Sequence, residues 1–212
     1  MTGLLFITHQ TERYTHLQSV ALALAGGCRQ VQLRMKDAAP QEVEKVGRLA
    51  KPLCERYGAE LYINDHAAAC KHIRATGVHL GKADMPPREA RRLLGNGFAI
   101  GGTANTFEDV RRLHGEGVDY VGLGPFRFTT TKKNLSPVIG LRGYRRIMEQ
   151  CREENIALPV LAIGGITPED IPGILSVGVS GIALSSAILQ AKDPVAETRK
   201  IVEMVSAPPF GR

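Results

Sequence analysis

The sequence predicts a (β/α)₈ barrel of the TIM type, and three observations predict it. Short apolar β-type runs alternate with helical ones throughout the chain. The alternation repeats eight times, the number that closes a parallel sheet into a barrel instead of leaving it open and doubly wound. No composition break or Ser/Gly linker divides the 212 residues, a length that fits one domain.

The strands are expected at 4–8, 30–35, 60–64, 77–80, 98–102, 120–124, 159–164 and 180–185. The helices between and after them are expected at 16–25, 41–57, 66–75, 87–94, 107–116, 141–154, 168–177 and 194–205. One connection is long for a strand-to-helix loop. Residues 125–140 carry Arg127, Thr129, Thr130, Thr131, Lys132 and Lys133 with no helical period. In a barrel this loop hangs over the C-terminal mouth, where loops of such length are usually functional.

Hydrophobic content of 43% and charged content of 23% are ordinary for a globular protein. No apolar run approaches a membrane span, and residues 1–8 are too short for a signal core, so a cytoplasmic protein is expected. Cys28, Cys54, Cys70 and Cys151 show no C-x-x-C spacing and read as reduced thiols in or near the core. The net charge of +6 could serve nucleic acid or small anions. The arginine pairs are scattered over helical stretches, and with no Trp and few Phe and Tyr there is no basic tract interleaved with aromatics. Nucleic acid is therefore not an expected partner. Small phosphate-bearing molecules are, and a homodimer is compatible with the sequence without being specified by it.

Strand two is the most informative. Side chains alternate faces along a strand, so Val31, Leu33 and Met35 share one face and Gln32, Arg34 and Lys36 the other. Turned toward a barrel interior, the two cations are costly unless they meet anions. Arg34 would then grip phosphate with its fork and Lys36 as a point charge. A half-buried strand with one solvated face is the plainer alternative. Asp65 and Asp84 fall just past strands three and four, where two hard carboxylates suit Mg²⁺. Each Asp alone also reads as a helix N-cap. Gly164-Gly165-Ile166-Thr167 after strand seven and Ser185-Ser186-Ala187 after strand eight resemble backbone phosphate cradles. The six histidines show no ligand spacing, and His79 alternates with Val78 and Leu80, so its side chain is expected inside the barrel.

The residues then stop being generic. Gln32, Arg34 and Lys36 stand as Q-x-R-x-K, Asn64 and Asp65 as N-D, with Asp84 beyond. Gly122-Leu123-Gly124-Pro125 precedes Thr129-Thr130-Thr131-Lys132-Lys133, and 163–166 reads I-G-G-I. In this order the chain resembles the thiamine-phosphate synthase family from about Leu4 to Ile188. The resemblance implies that Gln32, Arg34, Lys36, Asn64, Thr103 and Lys132 bind an aminopyrimidine pyrophosphate. It gives Asp65 and Asp84 to Mg²⁺, and Thr129, Thr130, Thr131, Gly165, Ser185 and Ser186 to a thiazole phosphate. Arg34, Lys36 and Lys132 would stabilise the departing pyrophosphate.

There are departures from the family pattern. Thr103 stands where Ser is usual, and Lys82 where Gln is frequent, adding a cation near the expected metal. Arg127 and Phe128 replace a more usual aliphatic or aromatic residue and Pro. Ser185 replaces Val or Ile. Asn105 stands where His is common, and the sister tautomerases use that His for proton transfer. Asn is no general acid or base at neutral pH, which favours a synthase over a tautomerase. A sugar-phosphate isomerase or aldolase, and a catalytically silent thiamine-pathway binding protein, are the remaining alternatives.

Overall fold

A computed structural model of the protein describes residues 1–128 and 137–206. Thr129, Thr130, Thr131, Lys132 and Lys133 lie outside the described residues. Eight strands pair in chain order, each parallel to the next, and the eighth closes on the first. They are β1 (Gly3–Ile7), β2 (Gln30–Leu33), β3 (Glu60–Asn64), β4 (Gly77–Leu80), β5 (Ala99–Ala104), β6 (Tyr120–Leu123), β7 (Val160–Ile163) and β8 (Gly181–Leu184). The helices are α1 (His16–Ala25), α2 (Pro40–Arg56), α3 (Ala67–Ile73), α4 (Pro87–Leu94), α5 (Phe107–Gly115), α6 (Gly140–Glu153), α7 (Ile171–Ser176), α8 (Ser186–Leu189) and α9 (Pro194–Ser206).

The strand alternation anticipated above sorts the core into two. Val31, Leu33, Ile63 and Val78 face outward into the large apolar layer beneath the helices. Leu5, Ile7, Tyr62, Tyr120, Leu161 and Ala183 fill the barrel interior. The stretch 168–177 divides into a 3₁₀ turn (Pro168–Asp170) and α7, because Thr167 and Asp170 form a capping box ahead of Pro172. A single extra turn, α8, separates β8 from α9. Strand β2 stops at Leu33, two residues earlier than the alternation suggested, so Arg34 and Lys36 stand on the rim.

All four cysteines are buried and unbridged. Burial pushes the Cys54 and Cys70 thiols up to about 12, so neither is a ready nucleophile. Among the described residues, no helix is long and apolar enough to cross a membrane.

Candidate active site

A cavity opens at the C-terminal mouth of the barrel. Side chains from β2, β3 and β4 form one wall, and backbone after β6, β7 and β8 forms the other. On the first wall Gln32 is buried, and its amide donates to Asn64 Oδ1 at 2.6 Å. The next inward residue, Arg34, is held at the backbone: its N–H donates to the buried Thr8 Oγ1 at 3.0 Å. Thr8 Oγ1 also meets His16 Nδ1 at 2.9 Å. Burial pushes the Arg34 guanidinium down from its ordinary pKa, opposed by Asp65 and Asp37. A half-buried cation of this kind gains from an anion. The solvated-face alternative therefore fails for Gln32 and Arg34, and describes only the exposed Lys36.

Lys36 Nζ reaches Asp65 Oδ2 at 3.4 Å. Asp65 adopts a left-handed backbone, φ 65°, a conformation that Asp tolerates better than most residues. Its N–H donates to His79 O at 2.8 Å, tying the end of β3 to that of β4. Burial raises the Asp65 carboxyl to about 6, reinforced by the neighbouring Asp84 carboxyl, while Lys36 opposes. Asp84 Oδ2 accepts from Gly81 N–H at 2.7 Å. Neither carboxylate caps a helix: the N-cap residues of α3 and α4 are His66 and Pro86, without side-chain cap bonds. The cap reading of both residues is set aside.

Two facing carboxylates, one held above its ordinary pKa by burial and by the other, fit a divalent cation. No group of three or more metal-ligating side chains exists among the described residues. The remaining ligands would have to be water and substrate oxygens, which is how Mg²⁺ is commonly bound.

Lys82 does not add a charge here. Its ammonium pairs with Asp109 at 2.6 Å, and Asp109 also accepts from Asn105 N–H at 2.9 Å within the α5 capping box. The Asn105 amide donates to Gly124 O. A residue so placed braces the β5 and β6 loops and moves no proton.

His79 is inside the barrel, as its alternation predicted. Nδ1 lies 3.2 Å from Tyr120 Oη, and Nε2 lies 3.1 Å from Thr103 Oγ1. Sequence reasoning missed Thr8 and Tyr120 as supports of the site. Tyr120 meets His79 of β4, and Thr8 meets His16 and the backbone just past β2, and strand alternation alone announces none of these contacts.

The second wall is made mostly of backbone, with the small side chains of Ser185 and Ser186. Gly165 has φ +66°, and a Cβ there would lie 2.7 Å from Phe128 O and 2.8 Å from Arg127 O. Only glycine fits without strain. Ser185 lines the cavity, and its Oγ is buried with no hydrogen-bond partner among the described residues. Ser186 and Thr103 line the same cavity. Every expected site residue within the described part thus borders one cavity.

The family model described as thiamine monophosphate synthase matches residues 4–188. The chain belongs to that family. It is 61% identical over 204 residues to a thiamine-phosphate synthase of Bacteroides thetaiotaomicron, covering 96% of this chain and 98% of the relative. It is 38% identical over 192 residues to that of Pyrococcus abyssi, covering 89% of each. Among solved structures, thiamine phosphate pyrophosphorylase from Pyrococcus furiosus superposes with a TM-score of 0.83 at 33% identity, covering 97% of this chain and 98% of that one.

Proposed function

We propose that the chain makes thiamine phosphate by joining an aminopyrimidine methyl pyrophosphate to hydroxyethylthiazole phosphate with loss of pyrophosphate, or to its carboxylated form with loss of pyrophosphate and CO₂. The observation that carries this reading is the convergence of Arg34, Lys36, Asp65 and Asp84 on one wall of the mouth. A leaving group of high negative charge needs neutralisation as its bond breaks, and this wall is built of groups that supply it.

The roles follow from chemistry. Gln32 and Asn64, bonded to each other, orient their amides against the pyrimidine edge, and Thr103 adds a hydroxyl. Arg34 and Lys36 take pyrophosphate oxygens. Asp65 and Asp84 would hold Mg²⁺, which when bound supplies charge compensation for the leaving pyrophosphate. The exocyclic carbon loses pyrophosphate, and the ring amino group donates electron density to the cation that remains. The thiazole nitrogen captures that cation. Neither step requires a general base, and Asn105 could not be one.

Gly165, Ser185 and Ser186 are assigned to the thiazole phosphate. The Ser185 hydroxyl, buried and without a partner among the described residues, supports this, because such a hydroxyl is costly unless a ligand completes it. Thr129, Thr130, Thr131 and Lys132 are assigned from the sequence alone, the threonines to the same phosphate and Lys132 to the pyrophosphate. The protein incubated with both substrates and Mg²⁺ should release thiamine phosphate and pyrophosphate. Interconversion of thiazole tautomers with no coupled product would instead make it a tautomerase.

A further inference from the structure

We infer that Arg127 is a positioning residue that aims the phosphate-binding N–H groups of the turn after β7. The inference rests on the assignment of Gly165 to the thiazole phosphate. Two bonds from Arg127 carry it. Its backbone N–H donates to Gly164 O at 2.9 Å, and its Nη1 donates to Gly165 O at 3.2 Å. In a trans peptide the C=O and the following N–H point in opposite directions. Fixing the Gly164 carbonyl therefore aims the Gly165 N–H, and fixing the Gly165 carbonyl aims the Ile166 N–H. Gly165 and Ile166 both line the cavity, and neither N–H has an acceptor among the described residues.

The guanidinium is itself held. It forks onto Asp170, with Nη1 to Oδ2 and Nη2 to Oδ1 both at 2.8 Å. The same Asp170 Oδ2 accepts from Thr167 N–H at 2.9 Å and Thr167 Oγ1 at 3.0 Å. The Arg127 Cζ also sits 5.5 Å from the centroid of the Phe126 ring, which packs on Tyr144. Arg127 and Asp170 thus bracket the turn 164–167 from both ends. A lysine could replace the charge but not the fork. Arg127 touches no reacting atom in this account. It acts through the turn.

Amide NMR and kinetics together test this. Titrated with inorganic phosphate, the wild-type protein should shift the Gly165 and Ile166 amides together. In Arg127→Ala the backbone bond to Gly164 O survives, so Gly165 should still respond while Ile166 loses most of its response. In turnover, the KM for thiazole phosphate should rise about five-fold, the scale of a partly exposed ion pair. The kcat and the KM for the pyrimidine substrate should stay within about two-fold. Arg127→Lys should fall between, and Asp170→Asn combined with Arg127→Ala should be less than additive. An unchanged Ile166 response, or an equal rise in both KM values, would overturn the role. If the wild-type protein makes no thiamine phosphate, the synthase reading fails, and the amide titration still decides the role of Arg127.

Discussion

Asp65 lines one wall of the mouth, Asp170 braces the turn behind the opposite wall, and their environments push the two carboxyls in opposite directions. Burial raises Asp65 to about 6, and Asp84 adds to the effect. Burial also acts to raise Asp170, but the Arg127 fork and the Thr167 bonds outweigh it and hold that carboxyl below its ordinary value. Asp170 is satisfied by the protein. Asp65 is left facing another acid, offset by the exposed Lys36 and by the nearby Arg34 guanidinium. The wall of β2 to β4 therefore offers side chains whose charges want a ligand. The wall after β6 to β8 offers backbone whose carbonyls are already tied. The first suits a leaving group whose charge grows during reaction, and the second suits a phosphate that only has to be held.

The sharpest way to break this division is at the acidic pair. Asp65→Asn and Asp84→Asn should each lower the single-turnover rate by about 10²–10³-fold. Asn tolerates the left-handed conformation at residue 65, so the fold should survive. Relief of like-charge repulsion means that metal-free thermal stability at pH 7.5 should not fall. Near-normal rates without a divalent metal would return both residues to loop architecture. A comparable loss is expected for Lys132→Ala, with Lys133→Ala far milder, measured in the same single-turnover assay. Equal, mild effects would leave Arg34 and Lys36 as the only cations on the leaving group.

On the other wall, Gly165→Ala must force a side chain into a left-handed position beside two carbonyls. A loss of about 1–3 kcal/mol of stability is expected, together with roughly ten-fold weaker thiazole phosphate binding, read by thermal melts and by KM. The smallest effect concerns acid. Because Asp170 has a depressed folded pKa, its contribution is present above the ordinary carboxylate range and is lost as pH falls through the folded value. Asp170→Asn should therefore cost up to about 1 kcal/mol at pH 7, with the gap to the wild type closing in strongly acidic solution. A gap that widened on acidification would reverse the assigned sign.

The two walls also differ in how far the sequence disclosed them. Gln32, Arg34 and Lys36 could be read because strand alternation converts spacing into direction, and Asp65 and Asp84 because they follow strand ends. Gly164-Gly165 could be read as a phosphate cradle after a strand, but nothing in the sequence said how its peptide planes are aimed. That its peptide planes are aimed by Arg127 depends on Asp170, 43 residues away, and no periodicity links the two. Lys82 misled for the same reason. Its charge was legible, but its partner Asp109 lies on α5, outside the β4–α4 loop that carries Lys82. Tyr120 and Thr8 were legible as strand residues, yet their hydroxyls meet groups of other elements that only folding brings together.

One measurement tests the division of the mouth most directly: single-turnover rate and thiazole phosphate KM, determined side by side for Asp84→Asn and Gly165→Ala. The account predicts that Asp84→Asn loses rate at saturating substrate while keeping its thiazole phosphate KM. Gly165→Ala should do the reverse. If both variants lose the same parameter, the two walls do not divide the labour between leaving group and phosphate, and the account fails.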